Sequence, residues 1–335
     1  MKRITEEQAG GFIDIEAVWE RYRIEKPEHG SAAWLEARYW DENKNVRISA
    51  SPAACLYGLH PFVKSDAYAA ELLAGVPPQP AEANWAMKRG TDLEPVIAQW
   101  VIERTGIAFD TPDEMFICNT PGGGRLIATL DLFYEDETQR IVGEIKSRNR
   151  PWEGELPDYW RIQGIHQAIC ADVNEILWAV FDSSMELHLH IQPVTQAEKD
   201  EHVAAVESWL TNIDLGMTPS GVHWSYETIA ARFPEPAPES VELPQSAADL
   251  VAQLRHVRSE LKSYEDLEDQ LKAALCEMIG NAEVATLDGV TVATWKGQTR
   301  QRFDQKSFVD QNPDLAKKYT KQVQSRTFLL KGERK

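Results

Sequence analysis

Two charged side chains stand two residues apart in the stretch VGEIKS, namely Glu144 and Lys146. On a β-strand, residues two apart point to the same face, so a carboxylate and an ammonium group would lie side by side. A second strand-like segment just upstream carries Asp131. The two segments are predicted to form an antiparallel hairpin, and a turn centred on Glu137-Thr138 would place Asp131 directly opposite Glu144. A different loop would move this register, because pairing slips in whole residues.

Two carboxylates that face each other across a hairpin repel unless a cation or a proton lies between them. Mg²⁺ suits such a pair because it prefers oxygen ligands, and Mn²⁺ is a substitute of similar preference. The backbone carbonyl of Ile145 would add a further oxygen, and Lys146 would orient a metal-bound water or offset charge on a phosphate. This set is what metal-assisted hydrolysis of a phosphodiester needs. Alone, however, a Glu-x-Lys pair is a weak signal, and a surface ribbon with cross-strand charges is the more common explanation of it.

The surrounding pattern alternates strand-like segments with helices, which indicates an α/β (α+β) core with a mixed sheet. Glu94 lies in a long helical segment that ends at Gly106. Gln163 and Gln167 are one turn apart on a helix that follows the hairpin, so they share a face. In the segment RISASPAACLYG, Ser51 is predicted as a helix N-cap with Pro52 at the first helical position.

Composition narrows the class of protein. The chain has 335 residues and a net charge of −18, which argues against a protein that coats nucleic acid uniformly but leaves room for a local basic groove. Its four cysteines are far apart in sequence, so a zinc ribbon is not expected. No apolar run long enough to span a membrane and no apolar leader stand out, which favours a cytoplasmic protein without membrane contact.

A proline-rich stretch, 225–246, is predicted to link a domain at 1–224 to an extension at 247–335. The extension begins with a helix whose apolar residues recur at steps of three and four, and a hairpin with an Asp288-Gly289 turn follows. That apolar stripe is either a coiled-coil seam or a face that packs on the following strands. The basic end of the extension would suit contact with DNA phosphates, contact with a partner protein or the bracing of an oligomer.

Several stretches occur together in one order: AWLEAR, ISAS, RGTDLEP, ATLDLF, GEIKS and PDYWRIQGIHQ. In this order and spacing, the chain from about Trp34 to Leu210 resembles the YqaJ-type viral recombinases. These belong with phage lambda exonuclease in the PD-(D/E)XK nuclease superfamily. The resemblance implies a restriction-endonuclease-like core with a mixed central sheet flanked by helices, to which this chain adds a small C-terminal helix-and-hairpin extension.

The resemblance also assigns roles to residues of this sequence. It implies that the catalytic residues are Asp131, Glu144, Lys146 and Gln163. It implies metal ligands at Glu94, Asp131, Glu144 and the backbone carbonyl of Ile145. A pocket for a 5′-terminal phosphate falls on Arg38 and Ser51, and Arg47 is an alternative to Arg38 because WDENKN lengthens the link between them.

The activity implied is that of a Mg²⁺-dependent double-strand DNA exonuclease that degrades 5′ to 3′ during end resection in phage-type homologous recombination. Its implied partners are double-stranded DNA ends, a single-strand annealing protein, and further copies of the chain in a trimeric ring. Two alternatives remain open at the level of sequence. One is an endonuclease that cuts internally or at particular DNA structures, and the other is a non-catalytic DNA-binding scaffold with a vestigial site.

Overall fold

A computed structural model describes residues 18–75, 84–321 and 326–331, which form two compact units that divide between Phe233 and Pro234. The elements of the first unit are, in chain order, β1 Glu20–Glu25, α1 Ala32–Tyr39, β2 Ile48–Ser49, a 3₁₀ helix Ala53–Tyr57, α2 Ser65–Ala74, α3 Trp85–Thr105, β3 Glu114–Asn119, β4 Arg125–Ala128, β5 Leu132–Glu135, β6 Arg140–Ser147, α4 Asp158–Ala171, β7 Glu175–Phe181, β8 Leu187–Pro193, α5 Gln196–Asp214 and α6 Tyr226–Arg232. Strands that alternate with helices confirm the predicted α/β class.

The strands of the first unit form two four-stranded sheets, in the orders β1-β3-β4-β2 and β5-β6-β7-β8. The strand-like segment that carries Asp131, residues 125–135, is not one continuous strand. It breaks after Ala128, so that β4 pairs in the first sheet and β5 pairs with β6 in the second. Asp131 lies in this break, where its carboxylate accepts a hydrogen bond from the backbone N–H of Ile145 at 2.8 Å. A side chain that competes for backbone groups in this way favours a bend over a continuous ladder.

The second sheet is mixed, and helices cover both of its faces. Strands β6 and β7 are parallel and are connected through α4, whereas β5 and β8 pair antiparallel at the two edges. On one face, Ile97 and Val101 of α3 pack in a core with Ile145. On the other face lies α4, where Gly164 permits a close approach, since a Cβ there would stand 2.5 Å from the Gln192 side-chain oxygen.

Helix α3 has well-defined ends. Asn84 is its N-cap and accepts from the backbone N–H of Met87 at 3.0 Å, and Gly106 closes it in the left-handed conformation with φ of 72°. Pro95 lies inside this helix and leaves one carbonyl without its helical donor. Glu94, directly before it, lies on a helix that packs against the strand carrying Glu144 and Lys146.

Helix α6 occupies part of the stretch 225–246 that sequence analysis treats as a linker, and Ser225 is its N-cap. The second unit contains α7 Ala247–Ile279, β9 Val284–Leu287, β10 Val290–Thr294, α8 Gln305–Gln311 and α9 Pro313–Tyr319. The predicted helix and hairpin are both present, and the turn residues Asp288 and Gly289 have φ of 51° and 81°, as a tight hairpin turn requires. Among the described residues, no helix has the length and apolar character needed to cross a membrane.

A buried chain of hydrogen bonds ties α4, α5 and the 3₁₀ helix together. The Tyr57 hydroxyl lies 2.9 Å from His202 Nδ1, and His202 Nε2 lies 2.9 Å from His166 Nδ1. Burial lowers the pKa of His202 to about 4, and burial and the neighbouring His202 lower the pKa of His166 well below its ordinary value. Both imidazoles are therefore neutral in the folded protein at neutral pH.

We expect the stability of the first unit to fall as the pH drops from 7 to 5. A group with a lowered folded pKa binds its proton more readily in the unfolded chain, so acid favours unfolding, and His202 alone would cost about 2 kcal/mol at pH 5. His202→Asn should flatten this dependence, whereas His223→Asn, at an exposed histidine, should not. Urea unfolding at both pH values measures the difference, and equal slopes for all three proteins would contradict the expectation.

Candidate active site

The hairpin that carries the charged residues has the predicted register. Leu132 pairs with Gly143, and the backbone N–H of Asp136 bonds to the Gln139 carbonyl across the turn, so the next position beyond the ladder brings Asp131 opposite Glu144. The Asp131 carboxylate is fixed there by its bond from the Ile145 N–H. The predicted juxtaposition of the two carboxylate-bearing positions is therefore confirmed.

The Glu144 side chain is only 4% exposed and is held by three donors. Its Oε1 accepts from Lys146 Nζ and from Gln163 Nε2, both at 2.6 Å. Its Oε2 accepts from Gln167 Nε2 at 2.5 Å. Two amides from consecutive turns of α4 thus fix both oxygens of one carboxylate, which keeps its orientation rigid.

Lys146 occupies the floor of the site beside two stacked indole rings. Its Nζ lies 5.9 Å from the centre of the Trp160 ring and 5.7 Å from that of Trp178, and it also donates to Gln163 Oε1 at 3.1 Å. Burial opposes the charged form, but the attraction of Glu144 and then Asp131 outweighs it and raises the pKa of Lys146. The ammonium group therefore stays charged beside the two carboxylates.

Repulsion among the carboxylates dominates the rest of the site. Burial, followed by the negative charges of Glu144 and Glu94, raises the pKa of Asp131 well above its ordinary value. Burial and the charge of Glu144 also raise the pKa of Glu94. Excess negative charge concentrated in this way creates a place where a cation would be attracted.

The donor chemistry fits a hard divalent cation, but the number of converged ligands is smaller than expected. Among residues 18–75, 84–321 and 326–331, no group of three or more His, Cys, Asp and Glu side chains stands ready to hold a metal ion. Glu94 therefore does not complete a three-carboxylate set with Asp131 and Glu144. Two carboxylates are nevertheless the number that Mg²⁺ commonly takes from a protein when substrate phosphates and waters supply its other ligands.

The expected phosphate pocket is built around Arg38, in the last turn of α1. Its Nε donates to Ser49 Oγ at 3.2 Å and its Nη2 donates to Ser51 Oγ at 3.3 Å, while its guanidinium lies 4.3 Å from the centre of the Trp34 ring. One guanidinium and two hydroxyls converge at this point, with Ser51 exposed and Ser49 buried. This is a suitable donor set for an anion.

Two expectations about this pocket need correction. Arg47 does not join it, because its side chain is 5% exposed and its Nη1 donates to the carbonyls of Ala37 and Trp40. It serves instead to bind the end of α1. Ser51 is not a helix N-cap either, since the 3₁₀ helix that follows begins after Pro52 and has no side-chain cap. The hydroxyl of Ser51 bonds to Arg38 instead.

Two further residues, Gln167 and Ser49, contact functional side chains of the site. The resemblance implies a role for Gln163 alone, yet Gln167 is fully buried and donates to Glu144 at 2.5 Å. The four-residue spacing on one helix face was the available signal for both. The resemblance implies Ser51 in the phosphate pocket, and Ser49 joins it, because residues two apart in an extended segment share a face and both hydroxyls accept from Arg38.

Comparison with protein families found a match over part of the chain. Residues 34–174 match the family model of the YqaJ-like viral recombinase domain, and this range contains every candidate residue discussed above. The comparison with curated proteins gave no significant match.

Solved structures similar to this chain include the alkaline exonuclease LHK-Exo of Laribacter hongkongensis, which is 20% identical with a TM-score of 0.43 over 55% of this chain and 93% of that one. The same enzyme in complex with dAMP is 19% identical, with a TM-score of 0.44 and the same coverage. A phage-related exonuclease of Haemophilus somnus 129PT is 13% identical, with a TM-score of 0.36 over 52% of this chain and 97% of that one.

Proposed function

We propose that this chain, whose residues 34–174 match the YqaJ-like viral recombinase domain, is a deoxyribonuclease that degrades double-stranded DNA from its ends. The observation that carries the proposal is the arrangement of Asp131, Glu144 and Lys146 around one hairpin end. Asp131 lies opposite Glu144, and Lys146 bonds to Glu144 at 2.6 Å. Two opposed carboxylates with a charged lysine bonded to one of them are costly for stability, and phosphodiester hydrolysis is the chemistry for which they are suited.

In the proposed reaction, Asp131 and Glu144 would hold Mg²⁺, with Mn²⁺ as a substitute and with Glu94 and the Ile145 carbonyl as further oxygens near the site. The bound ion would supply Lewis acidity toward the scissile phosphate. Lys146 offsets negative charge that develops on the phosphate and orients the attacking water through its N–H groups. Gln163 and Gln167 keep Glu144 in place, since they bind both of its oxygens.

The direction of degradation is proposed from the phosphate pocket around Arg38. The Arg38 guanidinium with Ser49 and Ser51 would bind a terminal 5′-phosphate, which places the cleaved bond at the 5′ end and makes degradation 5′ to 3′. An exonuclease of this polarity leaves 3′ single strands. Strands of this kind are what a single-strand annealing protein binds, so end resection in phage-type recombination is the proposed context.

Linear and circular DNA distinguish this activity from the alternatives. The full chain should degrade a 5′-phosphorylated linear duplex in the presence of Mg²⁺, should stop when EDTA is added, and should leave a covalently closed circle of the same sequence intact. Cleavage of the circle would identify an endonuclease instead. Binding of the linear duplex without any loss of it, with Mg²⁺ or Mn²⁺, would identify a scaffold with a vestigial site.

Arg38→Ala should slow degradation of a 5′-phosphorylated duplex by about 10-fold or more, because the loss of a charge-assisted phosphate contact costs about 1.5–3 kcal/mol. The rate on a duplex with 5′-hydroxyl ends should change little. Lys44→Ala is the matched control. Lys44 is exposed, follows α1 in sequence and forms an ion pair with Glu36 of that helix. Equal losses on both substrates would show that Arg38 supports the fold and does not bind the terminal phosphate.

A further inference from the structure

Helix α7 of the second unit carries an apolar stripe that the nuclease proposal does not use. The helix has 33 residues, and none of them is buried. Along it, one face repeats at alternating steps of four and three over four heptads: Leu250, Leu254, Val257, Leu261, Tyr264, Glu268, Leu271, Leu275 and Met278. We call these nine residues the α7 seam. Eight of the nine are apolar or aromatic, and such a 3.5-residue repeat is typical of a coiled coil.

The seam is exposed where the structure describes it. Leu261 is 56% exposed and Leu271 is 58% exposed. Within the described part of the second unit, no helix or strand packs along α7. The segment 326–331 contacts this helix through Arg255 and Arg258, which flank the seam and do not belong to it. An apolar face of this length on a soluble helix indicates an interaction surface.

We propose that the α7 seam pairs with the same seam of a second copy of this chain, with the two helices antiparallel. The seam repeat predicts a two-helix interface, and the charges on and beside the seam select the orientation. In a parallel pair, each residue at the polar seam position meets its own copy, so Glu268 would face Glu268. Glu260 and Glu265 would also meet across the flanks, because parallel coiled coils pair positions five residues apart. The Glu260–Glu265 contact is repulsive, whereas each Glu268 is partly offset by its own Lys272, whose Nζ lies 2.6 Å from Glu268 Oε1.

The antiparallel arrangement removes the Glu260–Glu265 conflict and places the two Glu268 side chains in different layers. When Leu261 of one helix packs in a layer with Tyr264 of the other, every seam residue except Met278 finds a seam partner. Glu268 then lies in a layer with Val257, next to the positive charge of Arg258. On one flank of the seam, Arg258 of each copy faces Glu265 of the other. Charge complementarity therefore favours a second copy in the antiparallel orientation.

The dimension of the helix suits such an interface. At 1.5 Å per residue, a 33-residue helix is about 50 Å long. It is well beyond the length of about 12–15 residues below which helices are marginal in water, and packing of its apolar face would stabilise it further. Four heptads of Leu, Val and Tyr side chains supply the apolar core, and the single glutamate at a seam position gives specificity at some cost in stability.

The molar mass of the full-length chain tests the pairing, measured by light scattering over a range of concentrations. Leu261→Asp combined with Leu271→Asp should halve the mass of the assembly. Ser259→Asp combined with Ala273→Asp adds the same charge on the opposite face of α7 and should leave the mass unchanged. Circular dichroism of each variant verifies that α7 is still helical. An unchanged mass in the first variant with retained helicity would overturn the proposal.

Charge reversal tests the orientation. Glu265→Arg should raise the dissociation constant by about 10-fold or more, because it sets two arginines against each other at both Arg258 contacts on that flank of the antiparallel pair. Arg258→Glu should do the same, and the double variant should restore most of the affinity. If Glu265→Arg instead tightens the assembly, the helices are parallel, since that change would convert the Glu260–Glu265 repulsion into attraction.

Discussion

Lys146→Met should lower the rate of duplex degradation by about 10³-fold at saturating DNA. The substitution keeps the length of the side chain against Trp160 and Trp178 but removes the charge that would face the phosphate and the attacking water. Loss of one positioned donor to developing charge costs about 10²–10³ in rate, and the loss of a full charge in a buried site belongs at the upper end. Single-turnover rates on a 5′-phosphorylated duplex measure the effect.

The chain offers a matched control in Lys199. Lys199 lies in α5, outside the site, and is also buried, with 3% of its surface exposed. Its ammonium group donates to the Asn174 side-chain oxygen at 2.7 Å. Lys199→Met should reduce stability but leave the degradation rate close to that of the unsubstituted protein. If both variants lose activity to the same extent, the loss reflects damage to the fold, and Lys146 has no special part in the chemistry.

Lys146→Met should also lower the stability of the first unit. The folded-state pKa of Lys146 is raised above its unfolded value, so its contribution is fully present at neutral pH and is lost only as the pH rises through the raised pKa. Without the ammonium group, Glu144 is a buried carboxylate without an ionic partner. The activity loss and the stability loss should therefore occur together in this variant.

Local spacing rules anticipated the part of the site that a single hairpin determines. The short connection fixes the register, and the register brings Asp131 opposite Glu144, which needs no knowledge of the rest of the chain. The same holds for the shared helix face of Gln163 and Gln167. Such features depend on residues close together in sequence, so periodicity is sufficient to predict them.

Features that depend on distant segments could not be read in this way. The division into two sheets depends on distant partners, because β4 pairs with β2 and β3 whereas β5 pairs with β6. The buried state of Arg47 depends on Tyr22 of β1, whose hydroxyl accepts from its guanidinium at 3.2 Å, and nothing near Arg47 in sequence announces that contact. An arginine next to a predicted pocket looks the same whether it is buried or free.

The distinction matters for the metal site as well. Sequence reasoning counts carboxylates, and it counts Glu94 with Asp131 and Glu144. The structure shows that Glu94 stands on α3, and Glu144 is engaged by side chains of β6 and α4. The charge of Glu144 is close enough to raise the pKa of Glu94. The side chains of Glu94, Asp131 and Glu144 do not, however, converge as three ligands of one metal ion. Helix packing decides between the two, and no motif records it.

Asp131→Asn should lower the rate of duplex degradation about 10³-fold, as Lys146→Met does. It should also raise the stability of the metal-free protein at neutral pH. The amide keeps an oxygen to accept from the Ile145 N–H, so the local backbone should be retained. It removes a negative charge that burial and the repulsion of Glu144 and Glu94 make unfavourable. Sites built for function are commonly less stable than their inactive variants for this reason, and a gain of about 1 kcal/mol is of the usual size.

The sign of the pH dependence follows from the raised pKa of Asp131. A carboxyl group whose folded pKa is raised binds its proton more tightly in the folded chain, so its contribution to stability is largest in acid and is lost as the pH rises through that pKa. The stability difference between Asp131→Asn and the unsubstituted protein should therefore be large at pH 8 and should shrink as the pH falls toward the ordinary range of aspartate. Urea unfolding in EDTA at several pH values measures this difference.

A variant that is less stable at pH 8 would mean that Lys146 compensates the Asp131 charge fully. Opposite changes in stability for Asp131→Asn and Lys146→Met, with activity lost in both, are the combination that a purely structural charge cluster would not produce.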